Sequence, residues 1–408
     1  MQTNIAEEFH GTPVGDTAES VLRKCVHCGF CLATCPTYQL LGDELDSPRG
    51  RIYQIKQVIE GAEATAGMRL HLDRCLTCRA CETTCPSGVE YGKLVDIGRQ
   101  LVEEKTRRGL VERAQRALLV RLLSDRRLAS LLFAVARAAR PLLPQVLSRK
   151  IVPRQKSMPT PGRQHLRRVV MLDGCVQPSL TPRTNQAAAQ LLDRLGIHTV
   201  TVREAGCCGA LAHHLSYEQR ALAQARRNID AWWPHIENGV EAIIITASGC
   251  GVMVSDYGYL LRGDAAYADR AARVSALVRD LSQVIDENRE LDVSPRAEPV
   301  AYHSPCTYQH GLGLGGRVEA ILSRLGYRLT PVSDAHLCCG SAGTYSLLQP
   351  KLSARLLDNK LANLAAGDPR YIVTANVGCQ THLASKSGIP VLHWAEMLAE
   401  DLAAPAAR

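Results

Sequence analysis

The chain has 408 residues, 46% hydrophobic and 22% charged, with a net charge of +8 and sixteen cysteines. That length exceeds one ordinary core, so two or three domains are expected, and the composition excludes a disordered or fibrous chain. The modest positive charge suits an acidic partner or an anionic surface without singling out either.

The N-terminus, MQTNIAEEFHGTPVGD, is polar and lacks the apolar stretch of a signal peptide. The longest apolar run, LASLLFAVA at 128–136, is far shorter than the roughly 20 residues that span a bilayer. A cytoplasmic location is therefore expected. In that reducing setting sixteen cysteines read as metal or redox chemistry rather than as disulfides.

CVHCGFCLATCP at 25–36 and CLTCRACETTCP at 75–86 both follow C-x2-C-x2-C-x3-C-P. Three thiolates two residues apart wrap three corners of a cubane. The fourth, displaced by three residues and a proline, serves the other cluster in two-cluster ferredoxins. The spacing therefore assigns Cys25, Cys28, Cys31 and Cys85 to one [4Fe-4S] cluster, and Cys75, Cys78, Cys81 and Cys35 to a second. A pair of structural zinc sites has no use for the third C-x2-C step or the trailing Cys-Pro. Between the blocks, SPRGRIYQIKQVIEGA reads as a helix after Pro48, which favours an α-helical ferredoxin domain over residues 1–100. Lys24, Arg74, Arg79 and Lys93 flank the cysteines. Positive charge there favours the reduced cluster, although each also reads as a solvated surface charge.

From Arg99 to Arg154 the chain carries fourteen Lys/Arg against four acidic residues, with leucines such as Leu118, Leu122 and Leu132 near helical period. This basic helical bridge, 101–167 with its Pro-rich end at 152–168, packs on the ferredoxin module, lies on an anionic membrane or docks a partner subunit. No aromatic interleaving or reader motif accompanies the charge, so no nucleic acid is expected as a partner.

The remaining cysteines form two equivalent sets: Cys175, Cys207, Cys208 and Cys250, then Cys306, Cys338, Cys339 and Cys379. Their offsets are 131, 131, 131 and 129 residues, and EAGCCGA parallels HLCCGSA. A duplicated domain follows, at 168–290 and 291–408. In each copy short apolar runs (RVVMLDG, IHTVTV and EAIIIT; PVAYHS, YRLTPV and YIVTAN) alternate with helical segments such as 184–195 and 217–230. That is the pattern of a doubly wound parallel α/β domain. Every one of these cysteines falls just past the C-terminal end of an expected strand, the edge where open α/β sheets bind ligands. GLGLGG at 311–316 imitates a dinucleotide fingerprint, but it comes late after the strand, behind Cys306, and reads as a helix-entry loop.

Taken together, CVHCGFCLATCPTYQLLGDELDSPRGRIYQIKQ, DRCLTCRACETTCPSG, NIDAWWP, TASGCG, HLCCGSAGTY and TANVGCQTHL resemble one family. It comprises the iron–sulfur subunits that accept electrons from flavoprotein 2-hydroxyacid dehydrogenases, and the resemblance is greatest to the glycolate oxidase (glycolate dehydrogenase) type. The resemblance implies an α-helical ferredoxin domain followed by a duplicated α/β (CCG) domain, with two [4Fe-4S] clusters and no flavin in this chain. It implies two FAD-binding flavin-type subunits as partners, which oxidise glycolate and, as a further substrate, D-lactate. Electrons pass from them toward a quinone or other membrane acceptor, with the complex held peripherally on the inner face of the plasma membrane. The eight CCG cysteines leave room for a further iron–sulfur cluster. In related heterodisulfide reductases the last CCG cysteine is doubled, whereas here Met253 and His382 hold those positions. His213, His214, His303, His310 and His336 read as structural or solvent-facing.

Three functions compete: a non-catalytic electron-transfer subunit, a heterodisulfide-reductase-like thiol/disulfide reductase working at the CCG cysteines, and a zinc-bound scaffold. Subunits for lactate or glycerol-3-phosphate oxidation share the same modules. Nothing in the sequence resembles a flavin-binding domain or a hydride-transfer site, which favours the first.

Overall fold

The computed structural model describes residues 1–142, 151–153, 155–159, 161–288 and 291–403. Parts of the basic bridge (143–150 and 154), position 160 of the linker, 289–290 and 404–408 lie outside the described residues. Two compact units emerge. One is Met1–Leu118 with His213–Tyr217 and His336–Lys360; the other is Leu119–Ala212, Glu218–Ala335 and the chain from Leu361 onward. A short segment of each repeat, after its second strand, thus belongs with the N-terminal unit.

The N-terminal unit is helical. Helices Pro13–Lys24, Pro48–Ile59, Ala66–Asp73 and Tyr91–Lys105 enclose a core that includes Leu22, Ile55, Ile59, Leu72, Leu94 and Val95. Their starts are written locally. Thr12, Ser47 and Thr65 cap the first three by accepting the amides of Gly15, Gly50 and Met68, and Pro13 and Pro48 open the first turns. Gly98 lets two helices approach, since a Cβ there would lie 2.4 Å from the Ile55 side chain. The expected helix after Pro48 is present, and it carries one face of this core.

The second unit contains two four-stranded parallel sheets. β1 (Arg167–Met171), β2 (Ile197–Thr201), β3 (Ile243–Ile245) and β4 (Val278–Asp280) lie in the order β2-β1-β3-β4. β5 (Val300–His303), β6 (Leu329–Thr330), β7 (Tyr371–Thr374) and β8 (Val391–His393) repeat it as β6-β5-β7-β8. The duplication read from the cysteines is therefore a duplication of topology. Six strands match the apolar runs of the sequence. β4 and β8 were not foreseen, because three residues at a sheet edge carry no pattern. Val169, Ile244, Val300, Val373 and Trp394 join one buried core that both sheets share.

In each sheet the strand order reverses between the first and third strands, β1 and β3 or β5 and β7. Loops leaving those strands diverge and open a crevice at their carboxyl ends. Cys175 follows β1 and Cys250 follows β3. Cys306 and Cys379 occupy the same places after β5 and β7. The GLGLGG segment is a helix-entry loop as expected. Gly313 and Gly316 take left-handed φ of 67° and 82°, and Gly316 caps helix Arg317–Arg324.

Candidate metal centres

Both N-terminal cysteine blocks use the same backbone device. His27 and Gly29 in the first, and Thr77 and Arg79 in the second, hold φ of 56°, 86°, 52° and 59°. These are the second and fourth residues after the leading cysteine. Three of the four are not glycine, and non-glycine residues in this region concentrate at functional sites. The alternation coils each C-x2-C-x2-C loop so that its thiols converge. Pro36 then opens helix Pro36–Leu41 with Cys35 at its cap.

The thiols group across the blocks. Cys25, Cys28, Cys31 and Cys85 line a single cavity of about 420 Å3, open mouth included, that also touches Cys81 and Tyr91. Burial raises the Cys25 thiol, and the nearby Cys85 and Cys28 raise it further. Burial pushes Cys31 up to about 11. Around Cys81, burial acts first and then the neighbouring Cys78, Cys75 and Cys35, which together raise its thiol far above the ordinary range. Buried sulfurs gathered in fours stay protonated unless a cation neutralises them. Metal-bound thiols, by contrast, lose their protons outright. This donor set fits two thiolate-ligated iron–sulfur centres.

Polar groups surround the second set. The Tyr91 hydroxyl donates to Cys75 Sγ at 3.6 Å, and the Thr77 amide donates to the same sulfur at 3.4 Å. Cys35 Sγ lies 3.3 Å from Thr37 Oγ1. Arg51 is almost sealed from solvent and donates to His71 O, Thr37 Oγ1 and Asp46 Oδ1. Arg99 donates to Cys75 O at 2.6 Å and to Thr77 Oγ1 at 2.7 Å.

Of the flanking cations expected from sequence, Lys24 and Lys93 both pair with the exposed Glu90, and Arg74 pairs with Asp46. Arg79 supplies one of the left-handed backbone positions. Arg51 and Arg99 were missed. Both lie inside helices, where charge reads as a solvated face, and nothing local marks them as turned inward.

In the first repeat the four CCG cysteines meet. Hydrogen bonds link Cys207 to Cys175 and to Cys208, and Cys208 to Cys250. The donated thiols hold Cys207 well below the usual range and hold Cys175 and Cys208 well above it. The adjacent pair rests on a buried frame. Asn228 donates to Cys207 O and Tyr257 OH and accepts the Gly206 amide, and Tyr257 OH donates to Cys208 O. Gly209, at φ 99°, leaves a Cβ only 3.2 Å from the Met253 methyl. Met253 therefore packs beside this turn.

In the second repeat Cys306 and Cys379 are buried at the crevice of their own sheet. Cys338 and Cys339 belong to the helical unit and are buried there, with the Gly340 amide donating to Cys338 Sγ at 3.4 Å. His303 Nδ1 lies 2.9 Å from Thr374 Oγ1 across β5 and β7. The sixteen cysteines form no disulfide among the described residues.

Both halves of the chain match known families. Residues 21–89 match the family described as "4Fe-4S dicluster domain", and residues 169–255 and 300–384 match "Cysteine-rich domain". The chain is 53% identical over 404 residues to the "Glycolate oxidase iron-sulfur subunit" of Escherichia coli K12, covering 98% of this chain and 99% of that one. It is 32% identical to the "Probable glycolate oxidase iron-sulfur subunit" of Bacillus subtilis 168, covering 88% of each. A "hypothetical protein from Helicobacter pylori" of known structure superposes with a TM-score of 0.52 at 10% identity, covering 94% of this chain and 76% of that chain, a likeness of fold alone.

Proposed function

The chain belongs to the family of glycolate oxidase iron–sulfur subunits, and on that premise we propose that it is the electron-transfer subunit of a flavin-dependent glycolate dehydrogenase complex. Partner subunits carrying FAD perform the oxidation of glycolate, with D-lactate as a further substrate. This chain performs no substrate chemistry and relays electrons toward a quinone or other membrane acceptor.

The observation that carries the reading is the cross-block grouping of thiols. Cys85 shares a cavity with Cys25, Cys28 and Cys31, and Cys35 stands beside Cys75, Cys78 and Cys81. These are the ligands we assign to two [4Fe-4S] clusters. Such clusters, when bound, supply reversible one-electron transfer. The protein's own contribution is to set their potential and their access. Tyr91, the Thr77 amide and the Arg51 charge all stabilise negative charge on the Cys35/Cys75 set, which raises its potential. That set is buried, whereas Cys28 is exposed between Val26 and Phe30, themselves 67% and 62% exposed. The Cys28 side, with this apolar rim, is the face we assign to the flavin subunit.

The eight CCG cysteines form the donor sets for a further cluster or redox site, beginning with Cys175, Cys207, Cys208 and Cys250. The lowered Cys207 thiol also supports the thiol-reductase reading and keeps it as the competitor. Peripheral attachment to the inner face of the membrane is supported by helix Arg126–Ala139, where Leu131 and Val135 are exposed beside arginines. Among the described residues no helix is long and apolar enough to cross a membrane.

The test mixes the anaerobically purified chain with its flavin subunits and glycolate. Paramagnetic signals of reduced clusters should appear only when all three are present. Reduction by glycolate without the flavin subunits contradicts the proposal. So does turnover of a disulfide substrate that depends on Cys207 and Cys208.

A further inference from the structure

Asp96 projects from helix Tyr91–Lys105 toward His213 and His214, which end helix Ala210–His214. His213 Nε2 lies 3.3 Å from Asp96 Oδ2, and His214 Nδ1 lies 3.5 Å from Asp96 Oδ1. One ligand atom from each of the three residues falls within 4.8 Å of the others. Side chains of successive helical residues diverge by about 100°, yet both rings here aim at one carboxylate, their centroids 5.6 Å apart.

Two further features point to a missing partner. Asp96 Oδ1 is sealed from solvent and accepts no regular hydrogen bond among the described residues. Its nearest cation, Arg99 Nη1, stands off at 3.7 Å while that guanidinium donates to Thr77 Oγ1 and Cys75 O instead. A contrasting trio, Asp43, Asp46 and His71, is also close together. There Asp46 is already saturated by Arg51 and Arg74.

We propose that Asp96, His213 and His214 form a mononuclear site for a divalent transition metal, zinc in the first instance. Tetrahedral zinc with ligands at about 2.0–2.1 Å places neighbouring ligand atoms about 3.3–3.4 Å apart, and each imidazole nitrogen already lies 3.3 or 3.5 Å from one of the two Asp96 oxygens. Two neutral imidazoles and a carboxylate are a borderline-soft nitrogen and oxygen set, distinct from the thiolate sites of this chain. His214 is half open to solvent, which provides the entry path and a fourth position for water.

The test uses the full chain, purified anaerobically with its iron retained and titrated with zinc to saturation. The wild type should bind one zinc more than the His213→Gln and Asp96→Asn variants. The X-ray absorption difference between them should be a nitrogen/oxygen shell at about 2.0–2.1 Å without sulfur at about 2.3 Å. Affinity for that zinc should fall at least about 100-fold in each variant, since loss of a ligand exceeds the 10–100-fold effect of an outer-shell change. Equal stoichiometries overturn the proposal, as does zinc held only by sulfur in the wild type. If a variant loses its iron, the wild-type absorption spectrum decides alone.

Discussion

Arg51 and Asp46 form an ion pair withdrawn from solvent, guanidinium Nη2 3.1 Å from carboxylate Oδ1, with 1% and 0% of their side chains exposed. Arg74 adds a second contact to the same carboxylate at 2.7 Å. Asp46 is thus doubly paired, and the Arg51 charge is felt by Cys75 and Cys35. A buried pair of this kind contributes little net stability but is hard to break, because its survivor is left charged in a dry place.

Replacing Arg51 with Gln should therefore destabilise the helical unit by about 3–5 kcal/mol. It should also lower the reduction potential of the centre we assign to Cys75, Cys78, Cys81 and Cys35. Arg51→Lys keeps the charge and should restore much of the potential while recovering little stability, since a compact ammonium does not span the acceptors that Nε, Nη1 and Nη2 reach separately. Thermal unfolding and EPR-monitored redox titration read the two effects separately. A potential unmoved by Arg51→Gln contradicts this assignment.

The cross-block ligand sets predict selective damage. Cys85→Ser should perturb the centre that shares Cys25, Cys28 and Cys31 and leave the other spectrum intact, and Cys35→Ser should do the reverse. Iron analysis and EPR of the two variants check it. If Cys85→Ser instead alters the centre of its own block, the sets are wrong.

Asn228 is fully buried and bonded to Cys207 O, the Gly206 amide and Tyr257 OH. Asn228→Ala strands these groups without water and should destabilise the second unit by about 3 kcal/mol. It should also loosen the Cys207–Cys208 turn, read as faster alkylation of those thiols. Tyr257→Phe removes one hydroxyl and should lose about 1 kcal/mol.

His393 predicts acid sensitivity. Its Nδ1 accepts the Ala395 amide at 3.2 Å, so the proton sits on Nε2 and is donated to Thr246 O at 3.0 Å. Burial pushes its pKa down from 6.5 to about 4. Between those values the folded state binds fewer protons than the unfolded one. The stability is therefore complete above about pH 6.5 and declines as pH falls toward 4, by about 2 kcal/mol at pH 5. His393→Gln should flatten that decline in denaturation curves measured at pH 7 and 5.

Much of this architecture was legible in the sequence, for reasons that can be named. The repeated C-x2-C-x2-C-x3-C-P spacing marks the dicluster domain that residues 21–89 match. The offset between Cys207 and Cys338, like that between Cys208 and Cys339, exposes the duplication. What stayed hidden depends on long-range packing. Arg51 and Arg99 look like surface charges until the helices assemble. Asp96 stands 117 residues before His213, and no motif links them. The inclusion of Cys338 and Cys339 in the helical unit follows from a loop path, which repeat symmetry does not specify.

Iron and acid-labile sulfide analysis of the anaerobically purified chain, combined with EPR after dithionite, tests the central claim most directly. Brown protein with at least about eight irons and eight sulfides per chain is expected, with the signals of two interacting reduced cubanes. Colourless protein containing zinc in place of iron, silent after reduction, would contradict it.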